Sequence, residues 1–154
     1  VVRYVDRPSP VTGLDGKFSF QYTVASALLD GRVSIETFTD PELRWPEVQD
    51  LLIRTQLTMD PAIPANFEEM WVTVTVRMKD GGEHSIRCDR PRGIWGNPLC
   101  RDERLAKVRQ CAGRILPSDA VERVIEMVED LDQASGQQVL DLVEFLGRPP
   151  AASP

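Results

Sequence analysis

Tyr22 carries the side chain best placed to do chemistry in this 154-residue chain. A phenol ionises near pH ~10, so at neutral pH it holds a proton that it can donate, either outright or as a strong hydrogen bond. A neighbouring cation makes it more acidic. Lys17, just upstream, is the candidate for that cation, and Ser19 stands at the same helix entrance. The competing reading is structural: a tyrosine on an apolar helix face is commonly a core-edge residue whose hydroxyl finds a partner.

Other constellations are weaker. His84, the chain's one histidine, falls inside a strand pattern, and no sharp strand-to-helix turn surrounds a serine. A serine-histidine-aspartate hydrolase is therefore unsupported, and His84 reads as a packed or rim residue. His84 and Cys88 would lie about 13 Å apart on an extended strand, too far to share a metal ion. Cys88, Cys100 and Cys111 make an odd count with no paired spacing, which suits a reducing compartment and predicts small core fillers. No glycine-rich phosphate loop stands between a strand and a helix.

A net charge of -6 argues against a nucleic-acid partner. Within that acidic chain, eight basic residues from Arg87 to Arg114 oppose only Asp89, Asp102 and Glu103. Such a segment could hold a carboxylate-rich ligand. The favoured alternative is that it lies in solvent or faces the acidic stretch carrying Asp119, Glu122, Glu126, Glu129 and Asp130. Apolar runs are far too short to span a bilayer, and no signal peptide is visible. A cytoplasmic location is the default expectation.

The elements that must position these groups follow from periodicity. Val1 to Val5 has the composition of a short strand. Pro8, Pro10, Gly13 and Gly16 hold the chain out of regular structure, and a helix is expected from Phe18 to Leu29, stopped by Asp30-Gly31. Phe18, Tyr22, Ala25 and Leu29 share one face of it. Thr39 is a candidate cap, Pro46 opens a helix with Val48, Leu51 and Leu52 inward, and Gln56 to Met59 reads as a strand before a loop over Asp60 to Phe67. Alternation over Val72, Val74, Val76 and Met78, then Asp80-Gly81-Gly82, then His84, Ile86 and Cys88, predicts a β-hairpin at about 70–78 and 83–88. Three helical patterns close the chain: Leu105, Val108, Ala112 and Ile115; Val121, Val124, Ile125 and Val128 after a Ser118 cap; and Val139, Leu140, Val143 and Leu146.

Helices grouped before and after a hairpin predict an α+β class, an antiparallel sheet covered on one face by helices. With 42% hydrophobic and 27% charged residues, 154 residues suffice for one domain, expected over 1–146, with a flexible tail at 147–154.

The run Lys17-Phe18-Ser19-Phe20-Gln21-Tyr22 followed by Ala27-Leu28-Leu29-Asp30-Gly31 resembles the MmgE/PrpD family, which includes 2-methylcitrate dehydratase, cis-aconitate decarboxylase and iminodisuccinate epimerase. The resemblance continues through Arg44-Trp45-Pro46-Glu47-Val48, Val76 to Gly81, Gly96-Asn97-Pro98-Leu99 and Lys107, so it covers about Pro8 to Leu146. It matches the smaller C-terminal domain of that family, and with Val1 at its start the chain looks like a fragment or separately produced domain.

What the resemblance implies is specific. The α+β architecture is that of the family's small domain, and the tyrosine of the Phe20-Gln21-Tyr22 motif would line the substrate pocket as a catalytic residue. Lys17 and Ser19 would be substrate-binding residues beside it. The substrate would be a di- or tricarboxylic acid, deprotonated next to a carboxylate, with no metal, iron-sulfur cluster or organic cofactor. The implied partners are the family's larger helical domain and, in full-length form, a second copy in a homodimer. Nucleic acid and membrane are not expected partners. The family's active-site histidine and further lysines have no counterpart in this sequence, so the chain by itself is expected to be inactive. A non-catalytic binding or assembly module of the same fold is the alternative.

Overall fold

The computed structural model of the chain describes residues 2–66 and 68–147. Val1, Phe67 and residues 148–154, where the tail was expected, lie outside the described residues. The chain divides into two compact units between Met70 and Trp71.

The first unit opens with α1 (Val2–Val5), one helical turn where composition predicts a strand. β-branched residues bias a segment weakly, and Val2 and Val5 at a chain end do not enforce an extended backbone. The next turn, α2 (Gly13–Gly16), is capped by Thr12, whose hydroxyl accepts the Asp15 N–H at 3.1 Å. Its glycines serve close approach. A Cβ on Gly13 would stand 2.1 Å from the Phe38 carbonyl oxygen, and one on Gly16 would stand 2.8 Å from the Tyr22 ring. Those positions therefore lie inside a packed turn and not in the irregular stretch expected.

Helix α3 (Phe20–Asp30) starts where Ser19 Oγ accepts the Tyr22 N–H at 3.0 Å, and ends at Gly31, whose φ of 69° needs a residue without a Cβ. Its inward face is more polar than the sequence suggests. Tyr22 and Ala25 are buried as expected, together with Gln21 and Ser26, whereas Phe18 and Leu29 are 47% and 42% exposed. Past a 3₁₀ turn (Glu36–Phe38), α4 (Asp40–Leu43) follows Thr39, which stands at the cap position without a side-chain cap bond. The next helix, α5 (Pro46–Arg54), begins at its proline. Tyr22, Leu43, Val48 and Leu52 form the core, with Phe38 packed on it. Each such side chain contributes about 1.5–3 kcal/mol on burial. Gln56 to Met59 is irregular, contrary to the strand expected, and Met59 is 75% exposed. A strand needs a neighbour for its backbone groups, and among the described residues the sheet consists of two other strands.

Those strands, β1 (Val72–Arg77) and β2 (Glu83–Cys88), pair antiparallel in the second unit with Val74 opposite Ile86 and Arg77 opposite Glu83. The Asp80 carboxylate accepts the Gly82 N–H at 2.9 Å, and Gly81 takes a φ of 90°. The α+β class holds. The helical cover expected over one face does not extend to β2, all six of whose residues are exposed; in β1, Val74 and Val76 are half-buried. Helices α6 (Arg101–Ala112), α7 (Ser118–Glu129) and α8 (Gly136–Gly147) complete the unit. Leu105, Val121 and Ile125 form its core, with Ala112 and Leu116 against it. On α8 the buried residue is Leu142, while Val139, Leu140, Val143 and Leu146 are exposed.

Candidate functional site

Tyr22 is 1% exposed, at the centre of the first unit. Its ring is fixed by Gly16 on one side and by Phe38 on another, the two aromatic centroids being 6.0 Å apart and tilted. Its hydroxyl donates a hydrogen bond to the Thr37 carbonyl. The phenol's pKa is raised above its ordinary value, first because burial disfavours the phenolate and further because the carboxylates of Glu42 and Asp30 repel it. That is the reverse of the acidity a neighbouring cation would confer. Opposing these effects, the Ser26 hydroxyl lies close enough to the phenol to lower its pKa, although the two make no hydrogen bond of good geometry in this structure.

Ser19 is brought into contact with Tyr22, through the cap bond to its N–H, and its own hydroxyl donates to the Arg7 carbonyl at 2.6 Å. Lys17 is on the surface, as the C-cap residue of α2. Thus the structure joins Ser19 to the backbone of Tyr22 and leaves Lys17 in solvent. Three residues around the phenol went unread in the sequence: Thr37, Glu42 and Ser26. The first two arrive from separate elements that no local pattern links to Tyr22. Ser26 was legible in principle, since it follows Tyr22 by one helical turn on the same face.

Elsewhere, a shallow groove between α3 and α5 is lined by Leu29, Pro46, Glu47, Asp50, Leu51 and Arg54. It contains neither Tyr22 nor Ser19, and its two carboxylates, with Arg54 already paired to Asp50 at 3.0 Å, suit a carboxylate ligand poorly. The basic segment is largely paired. Arg109 grips Glu122 through two nitrogens at 2.6 and 2.7 Å, and Arg101 grips Glu129 likewise, so α6 and α7 are laced by their opposite charges. Arg92 makes the same fork on Glu103 while donating to Asn97 Oδ1 at 2.9 Å. Glu103 also accepts the Cys100 N–H at 2.7 Å, and its pKa falls to about 2, chiefly through the Arg92 bonds. All three cysteines are exposed and unpaired by disulfides, which corrects the expectation of core fillers. Cys88 and Cys100 adjoin charged residues that keep their segments at the surface. No group of three or more histidine, cysteine, aspartate or glutamate side chains able to hold a metal occurs among the described residues. Among the same residues no helix is long and apolar enough to cross a membrane.

Comparison with known proteins places these two units in context. The model of the MmgE/PrpD C-terminal domain matches residues 1–133, running through both units. The cis-aconitate decarboxylase of Mus musculus is 32% identical over 139 residues, covering 90% of this chain and 28% of the relative. That of Homo sapiens is 32% identical over 139 residues, covering 90% of this chain and 29% of the relative. The chain thus spans under a third of the length of the curated relatives it matches. On the family match and these identities, the chain belongs to the MmgE/PrpD family and corresponds to its C-terminal domain.

Proposed function

We propose that this chain, as one domain over residues 1–146, is the small, lid-like part of a cofactor-independent lyase or isomerase acting on a di- or tricarboxylic acid. The observation that carries this reading is the alignment of 90% of the chain with cis-aconitate decarboxylases. Those names favour decarboxylation among the reactions open to the family. In that reaction the bond from carbon to a carboxylate breaks, carbon dioxide leaves, and the electron pair stays on carbon as a carbanion that a proton then quenches. Dehydration, as of 2-methylcitrate, and epimerisation reach a similar carbanion by removal of a proton next to a carboxylate. Tyr22 is this domain's proton or hydrogen-bond donor to that carbanion, with Lys17 and Ser19 binding the acid's carboxylates. A phenol suits a donor, since it holds its proton at neutral pH, and burial, which raises this one's pKa, favours its acting as a hydrogen-bond donor over outright proton loss. To act, its hydroxyl exchanges the Thr37 carbonyl for the substrate. The remaining catalytic groups come from the larger helical domain, in a homodimeric cytoplasmic enzyme.

The hydroxyl's bond to Thr37 favours a second reading, a non-catalytic module in which Tyr22 only ties α3 to the 36–38 turn. The test compares the isolated chain with the intact protein that carries it beside a helical domain, each offered cis-aconitate, 2-methylcitrate and related acids. The intact protein is expected to turn one of them over and the isolated chain none. Robust turnover by the chain alone would overturn the two-domain site, and an inert intact protein would leave the module reading.

A further inference from the structure

The buried face of α3 holds one polar group that neither the fold nor the proposed chemistry has used. Ser26 is 2% exposed, yet its Oγ has no hydrogen-bond partner among the described residues. A buried hydroxyl left without a partner loses its hydration and gains no bond in return, so a serine where alanine would fit is a burden on stability alone. Its position makes sense of it: one turn after Tyr22 on the same helix face, beside a phenol whose proton is directed at Thr37 and whose oxygen lone pairs remain open to a donor.

We infer that Ser26 is a positioning residue for Tyr22, a hydroxyl held in reserve to donate a hydrogen bond to the phenolate formed when Tyr22 gives up its proton. In that step the O–H bond of Tyr22 breaks and its proton forms a C–H bond with the carbanion's electron pair. The O–H electron pair stays on the phenolate oxygen, where the Ser26 O–H meets it, and water returns the proton after product leaves. The charged groups that act on the phenol are the Glu42 and Asp30 carboxylates, which both oppose the phenolate, so a neutral donor is the local means of easing that opposition. The inference rests on the reading of Tyr22 as a proton donor.

Two measurements separate it from that reading. First, the full chain labelled with 3-fluorotyrosine is titrated by ¹⁹F NMR, Tyr4→Phe assigning the Tyr22 resonance. Ser26→Ala removes the donor from the phenolate and should raise the Tyr22 midpoint by roughly half a unit or more. Ser26→Cys, which keeps the size but only a weak donor, should fall between and guards against a folding defect. An unmoved midpoint overturns the assignment of Ser26, whatever Tyr22 does. Second, in the intact protein Ser26→Ala should lower kcat roughly tenfold with KM nearly unchanged. A raised midpoint together with full kcat in Tyr22→Phe overturns the catalytic reading and leaves the Ser26 contact standing.

Discussion

Replacing Tyr22 with phenylalanine separates structure from chemistry at the centre of the first unit. The ring, and with it the contacts to Gly16 and Phe38, is retained, and what disappears is one buried O–H. The Thr37 carbonyl then loses its donor in a site where Thr37 is 6% exposed and Tyr22 1%, so water cannot readily take over. Leaving a buried acceptor unpaired costs about 1–3 kcal/mol. For a domain of this size that lowers Tm by roughly 2–4 °C for each kcal/mol. A second signature follows from the raised phenol pKa. Because the folded state holds this proton more tightly than the unfolded one, the associated stability is present below the ordinary tyrosine value near ~10. It is lost as pH rises through the higher folded value. Wild type should therefore lose stability in alkali by a component that Tyr22→Phe lacks. Thermal unfolding at neutral and alkaline pH measures both effects, and an unchanged Tm would refute the claim that the hydroxyl holds α3 to the 36–38 turn. In the intact enzyme, kcat should fall by roughly 10²–10⁴ if the phenol donates the proton. Full kcat with a lowered Tm would make Tyr22 a structural tie alone.

The glycines give a paired test: Gly13→Ala should destabilise by at least about 1 kcal/mol, because its Cβ meets the Phe38 carbonyl. Gly136→Ala, in open space on α8, should stabilise by about 0.5 kcal/mol in thermal melts. Equal and small effects at the two sites would show that α2 does not pack as closely as described. In acid, the depressed pKa of Glu103 means that its stabilisation is present above the ordinary value of 4.5 and is lost as pH falls towards about 2. Glu103→Gln should flatten acid unfolding across that window, and an acid limb identical to wild type would remove the Arg92–Glu103 fork from the stability of the second unit.

Much of this organisation was legible from local rules. Ser19, Asp30-Gly31, Pro46 and the Asp80-Gly81-Gly82 turn are residues whose backbone preferences act within a few positions, and the elements they bound appear close to where they were expected. The pairing of the basic segment with the acidic helix was legible as one of two readings, because opposite charges were concentrated on adjacent patterns. What escaped was set by long-range packing. The polar inner face of α3 depends on the Thr37 carbonyl and on Asp6, which accepts from Gln21 at 2.6 Å, and neither contact follows from helical periodicity. The strands expected at Val1–Val5 and Gln56–Met59 failed for the same reason: composition can favour an extended chain, but a strand exists only where a partner meets it. At the candidate site, the sequence names Tyr22, Ser19 and Lys17 by their proximity, but proximity does not fix side-chain direction, so it does not foretell that Ser19 meets the Tyr22 N–H while Lys17 lies at the surface at the end of α2.

The two-stranded hairpin has a consequence for how this protein breathes. Two strands standing alone are marginally stable in water, and along β2 every side chain is exposed while the outer backbone groups lack a neighbouring strand among the described residues. The hairpin therefore sits at the low end of the exchange hierarchy, its amide hydrogens trading with solvent through local opening long before those of the Leu105–Val121–Ile125 core, which require the helices to part. Its Asp80-Gly81-Gly82 tip, exposed and free of bulky side chains, becomes the natural point of entry for a protease, so that nicking would report opening of the hairpin alone while α6 and α7 stay folded.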